Sequence, residues 1–204
     1  MTDCFALLQE AHRPWLDPDS LKQKFLALSA QVHPDRAHNS SEAEKNAAHV
    51  RYMEINSAYN CLRDPKERLR HLLELERGSK PNDLQEIPPD LMNMFMEVSQ
   101  VCRDTDAFLA EKAKVSSPLL KVQLFERSQA WTDKLTALQP TLNSWHERLI
   151  SELKAIDAEW YSAPNSDASK HTSTLQHLEE LYRLFSYFNR WSAQIQERIA
   201  RLSF

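Results

Sequence analysis

The chain has 204 residues, room for one ordinary domain or two small ones, and a single glycine, Gly78. Phosphate-cradling loops and other backbones that need positive φ are therefore excluded almost everywhere, and a nearly all-helical protein is expected. A formal net charge of −4 argues against a general nucleic-acid or anionic-membrane binder, and no apolar run approaches the roughly 20 residues that span a bilayer.

In chain order, a short first helix carries Phe5 and Leu8 on one side and ends before Arg13-Pro14-Trp15. A second begins at Asp17-Pro18, where the carboxylate caps free amides and proline occupies a position that needs no N–H. Leu21, Phe25, Leu28 and Val32 recur on it at helical spacing and predict one buried face. It stops at His33-Pro34-Asp35, since the residue before a proline is pushed out of the α region.

Ser41-Glu42-Ala43-Glu44 reads as a capping box. The helix it opens places Ala48, Tyr52, Ile55, Tyr59 and Leu62 on a three-four repeat and should run antiparallel to the second. Asp64-Pro65 repeats the cap-plus-proline start, and the short helix through Leu69, Leu72 and Leu73 should end at Gly78 in a left-handed cap. Gly78 to Asp83, followed by Pro88-Pro89, reads as a linker. Beyond it lie three long helical segments: Asp90 to about Leu109, Ser117 to about Trp160 with a break or kink near Pro140, and about Ser173 to Leu202. Leu142, Trp145, Leu149, Leu153, Ile156 and Trp160 make one seam. Leu178, Leu181, Phe185, Phe188, Ile195, Ile199 and Leu202 make another, and such seams suit a three-helix bundle.

Cys4, Cys61 and Cys102 are far apart and odd in number, which argues against a disulfide framework; each reads as a small buried hydrophobe. The eight histidines are scattered and read as surface residues. No Gly-rich loop, nucleophile motif, HExxH or CxxC is present, so neither an enzyme, nor a metal, nor any cofactor is expected. The N-terminal Met-Thr-Asp-Cys has neither a secretory nor a transit signature, and a cytoplasmic protein is expected.

His33-Pro34-Asp35 between two pairing helices, with Ile55-Asn56-Ser57-Ala58-Tyr59, Leu62-Arg63-Asp64-Pro65 and Arg68 behind it, resembles a J domain and closely resembles the HscB family. The resemblance spans about residues 3 to 76. It implies an all-α protein with a J domain at 1–78, a linker at 79–89 and a C-terminal three-helix bundle at 90–204. The implied function is that of a co-chaperone that stimulates a DnaK/HscA-type ATPase and delivers to it an IscU-type iron–sulfur scaffold; the alternative is a J-domain adaptor serving a different client.

The resemblance also assigns contacts. His33, Pro34 and Asp35 would dock on the ATPase, a rigid proline presenting an imidazole and a carboxylate to polar and basic groups without any proton transfer. Only Lys22 and Lys24 supply cations on the preceding helix, and Arg36 stands where a lysine is common, so electrostatic steering should be weak. On the first helix of the bundle, Met92 and Met96 match apolar scaffold contacts, Glu97 matches an acid, and Gln100 stands where a second acid is usual. Tyr187, placed off the Phe185/Phe188 seam and beside Leu184 and Trp191, would be the aromatic contact from the last helix. In the competing arrangement the two methionines belong to the bundle core.

Overall fold

The computed structural model describes residues 2–33, 41–81, 87–162 and 168–203. Among these it contains seven α-helices, α1 (Cys4–Leu7), α2 (Pro18–Gln31), α3 (Glu42–Arg63), α4 (Pro65–Arg77), α5 (Met92–Lys112), α6 (Pro118–Ser162) and α7 (Ala168–Leu202), with one 3₁₀ turn at Pro89–Leu91 and no strand. No described helix is long and apolar enough to cross a membrane.

Each N-terminal helix begins on a side-chain oxygen. Asp3 accepts from the amides of Phe5 (2.9 Å) and Ala6 (3.1 Å), Asp17 from Ser20 (2.9 Å), and Asp64 from Glu67 (3.1 Å). Pro18 and Pro65 open α2 and α4, where a missing N–H costs nothing. At α3 the capping box is complete: Glu44 N–H donates to Ser41 Oγ at 3.3 Å and Ser41 N–H to Glu44 Oε2 at 2.9 Å. Helix α4 ends on Gly78 at φ 70°, whose amide donates to the Glu74 carbonyl.

The chain divides into two compact units, one of Met1–Asp83 with Ile150–Arg183, the other of Leu84–Leu149 with Leu184–Phe204. This division does not follow a single cut at 79–89, because the later part of α6 and the earlier part of α7 group with the N-terminal helices. In the first unit α1 and α2 both pack on α3. Phe5, Leu8, Leu21, Ile55, Leu62, Leu69, Leu72 and Leu73 form its core. Arg68 is buried among them, its Nε donating to the Pro14 carbonyl (2.8 Å) and Nη1 to that of Leu62 (2.6 Å). Burial pushes its guanidinium down to about 10, with the charges of Asp64 and Asp157 opposing. On α2 the apolar stripe is buried only at Leu21; Phe25, Leu28 and Val32 are half-exposed, a departure from the expected face.

Asp157 of α6 joins the N-terminal segment to this unit. It is buried, pairs with Arg13 and accepts from the Trp15 amide at 3.2 Å. Trp160 Nε1 donates to the His12 carbonyl at 2.9 Å, and Arg77 of α4 pairs with Glu179 of α7 at 2.6 Å.

In the second unit Leu91, Val98, Cys102 and Phe108 of the 3₁₀ turn and α5 are buried, as are Leu135, Leu142 and Leu149 of α6 and Phe185, Phe188, Trp191 and Ile195 of α7. Arg198 binds Asp106 at 2.5 Å and the Cys102 carbonyl at 3.3 Å, tying α7 to α5. Arg127 makes a two-pronged pair with Glu111. Helix α6 is one helix with Pro140 inside it, so of the expected break or kink there the break does not occur. The lost N–H costs about 3 kcal/mol, and the buried leucines at 135, 138, 142 and 149 on either side supply the burial that outweighs it.

Candidate functional site

Two aromatic pairs fix the α2–α3 hairpin. Phe25 stacks on Tyr59 with centroids 4.2 Å apart, and the His33 ring meets Tyr52 edge-on at 5.4 Å. The partners descend along α3 as the numbers rise along α2, so the two helices run antiparallel, as expected. His33 follows the last residues of α2, with Val32 as C-cap, and it is exposed despite its contact with Tyr52. The hairpin thus holds the imidazole just beyond the end of α2 while leaving its surface exposed. Pro34, Asp35 and Arg36 lie outside the described residues.

The two α2 lysines differ. Lys22 is exposed, whereas Lys24 Nζ pairs with Glu10 at 2.9 Å and donates to the Gln9 carbonyl at 3.1 Å. Its charge is thereby partly spent inside the unit, bracing the segment after α1. One turn beyond Lys22, Leu26 is 55% exposed. It falls outside the Leu21/Phe25 stripe, which is the signal in the sequence that could have marked it as a surface apolar group.

On α5 the two methionines are exposed, Met92 by 42% and Met96 by 56%. Adjacent to them, half-buried Phe95 reaches Trp191 of α7, with centroids 6.3 Å apart. Glu97 and Gln100 are also exposed, and the Gln100 amide is held between Asp104 (2.9 Å) and Arg103 (2.7 Å). Tyr187 is only 6% exposed and stacks on Trp191 at 6.0 Å. Tyr187 does lie beside Leu184 and Trp191, as expected, but this three-four row runs next to Phe185 and Phe188 and widens the buried stripe instead of leaving it. Trp191 meets both Phe95 and Tyr187, and its link to α5 through Phe95 is the contact that spacing along α7 does not reveal.

Cys4 and Cys61 are half-buried and Cys102 buried. The first two do not behave as isolated core residues, because with His71 they make the one group of potential metal ligands among the described residues.

Residues 4–71 match the DnaJ domain family. Over 128 residues the chain is 34% identical to the co-chaperone protein HscB homolog of Bordetella pertussis, covering 59% of this chain and 74% of that protein. It is 32% identical over 106 residues to the co-chaperone protein HscB homolog of Chromobacterium violaceum, covering 52% and 61%. Among solved structures, human co-chaperone protein HscB superposes with a TM-score of 0.64 at 16% identity, over 96% of this chain and 81% of that one. Chaperone HscB from Vibrio cholerae gives 0.52 at 20% identity, over 95% and 96%. At those identities the two structures speak for the fold alone.

Proposed function

The chain belongs to the HscB family of J-domain co-chaperones, and from that premise we propose that it stimulates ATP hydrolysis by a DnaK/HscA-type chaperone and delivers to it an IscU-type iron–sulfur scaffold. The observation that carries the reading is the intact His33-Pro34-Asp35 sequence at the end of α2, with His33 braced by Tyr52 yet exposed. In this reading the protein performs no chemistry on ATP. His33 and Asp35 supply polar contacts, Pro34 stiffens the loop that presents them, and Lys22 and Arg36 add the cations that draw in an acidic partner surface. Lys24 contributes less, since Glu10 already holds it.

The client side rests on Met92 and Met96. Their thioethers are exposed on α5, and a flexible, polarizable side chain adapts to an apolar partner surface. Glu97 offers a charge beside them, and Gln100 a polar group. Next to the methionines Phe95 meets Trp191 of α7, on which Tyr187 stacks, and this packing supports the face. Such a protein acts in the cytoplasm beside its chaperone.

Single-turnover ATP hydrolysis by the chaperone, with and without this protein, tests the reading. Wild type should accelerate hydrolysis, and a His33→Gln variant, changed at an exposed position, should lose on the order of tenfold of that effect. Equal stimulation by wild type and variant would remove His33 from the mechanism, and no stimulation by either would refute the chaperone half of the proposal.

A further inference from the structure

Three side chains separated by tens of residues converge in the N-terminal unit: Cys4 at the start of α1, Cys61 in the last turn of α3 and His71 in α4. Their ligand atoms all lie within 4.8 Å of one another, and neither cysteine is in a disulfide. Two thiolates that share a tetrahedral zinc at about 2.3 Å each sit roughly 3.8 Å apart. The cluster therefore needs only small side-chain adjustments to close on an ion.

The imidazole is already aimed. His71 is buried, its ring is stacked with Phe5 at 5.8 Å, and Nε2 accepts from the Cys4 amide at 3.0 Å. That bond shows where the lone pair points, toward the Cys4 end of the cluster. Metal binding would turn this lone pair from the Cys4 amide to the ion, while Asp3 Oδ1, 4.0 Å from Nε2, continues to cap α1. We propose that Cys4, Cys61 and His71 form a binding site for a thiophilic divalent cation, Zn²⁺ being the best match to two sulfurs and one nitrogen.

Both cysteines would bind as thiolates, so the ion displaces their protons, and Cys61 Sγ gives up its contact with the Glu67 carbonyl at 3.7 Å. Three protein donors leave a fourth coordination position for water. The ion would join α1, α3 and α4 at one point, a structural role that is independent of the chaperone reading. No C-x-x-C spacing announces the site, because its ligands come from three helices.

The test is a Co²⁺ titration of the full-length, reduced protein after chelator treatment, with thiol counting to show that all three cysteines are free. The expected result is a sulfur-to-cobalt charge-transfer band that saturates at one equivalent and is bleached by Zn²⁺, with a rise in the thermal unfolding midpoint. Cys4→Ser and Cys61→Ser should each weaken the band severely, while Cys102→Ser should leave it intact; circular dichroism confirms that each variant is folded. Absence of the band in reduced wild type would overturn the proposal. So would a band of unchanged intensity in the Cys4→Ser/Cys61→Ser double variant.

Discussion

At Asp157 a single carboxylate receives Arg13 Nε at 3.1 Å, Arg13 Nη2 and the Trp15 amide. Removing one partner of a buried pair leaves the other uncompensated, which costs about 3–5 kcal/mol when both are enclosed. Arg13 remains about one-third exposed, so water can recover part of that loss, and Asp157→Ala should cost roughly 2–3 kcal/mol. Urea unfolding at neutral pH reads this directly, and a change below about 0.5 kcal/mol would mean that the pair contributes no more than a surface bridge. Nothing in the sequence ties Asp157 to Arg13, 144 residues away, because ion pairing across that span depends on where α6 lies. The burial of Tyr187 is hidden from the sequence for a related reason. Its one-dimensional spacing allowed two faces, and only the stack on Trp191 decides between them. Truncating it to Ala should destabilise the protein by about 3–4 kcal/mol, the cost of emptying a packed aromatic position, so a lost interaction in that variant would report on folding as much as on contact.

The helix ends are where sequence and structure agree most closely, since caps are decided by four or five consecutive residues. Asp3, Asp17, Ser41 and Asp64 all serve as read or as local chemistry requires. Gly78 is the position where φ 70° demands glycine, and a Cβ there would meet nothing within 4 Å. Gly78→Ala should therefore cost about 1 kcal/mol from backbone strain alone. Gly78→Asn should cost less, and equal midpoints in urea for Ala and wild type would contradict the left-handed cap. The same ends set the acid limit. Glu44 is held below the usual carboxylate value by the Ser41 hydroxyl and amide. Burial raises Glu67, but the Arg70 bond and the Arg70 and Lys66 charges outweigh it and leave it lowered. Both groups have folded values below their unfolded ones, so their contribution is present above pH 4.5 and is lost as pH falls through the lower folded values. The unfolding midpoint should hold between pH 7 and 5 and fall below 4.5, with a shallower fall in a Glu44→Gln/Glu67→Gln variant. Pro140 shows where local rules fail: proline says stop, but burial along α6 carries the helix through.

For the whole molecule, one glycine and two long apolar seams were enough to make the all-α class and the hairpin legible, because both follow from local backbone chemistry and periodicity. The division into compact units was not legible. It depends on Asp157, Trp160 and Glu179 meeting Arg13, His12 and Arg77, and such pairings leave no trace in spacing. A fragment ending at residue 81 lacks those partners and should unfold at lower urea than the same helices in the intact chain. Equal midpoints would show that the later helices add nothing to this unit's stability.

In the proposed function one chain carries both a chaperone-docking hairpin and an exposed client face on α5. Calorimetric titration of an IscU-type scaffold into the full-length protein, beside a Met92→Ala/Met96→Ala variant that leaves Tyr187 in the core, tests it most directly. With about 1–2 kcal/mol from each exposed methionine, the account predicts micromolar binding by wild type and at least a roughly tenfold loss in a variant that keeps its helical circular dichroism. Unchanged affinity in the variant, or no binding by wild type, would contradict it.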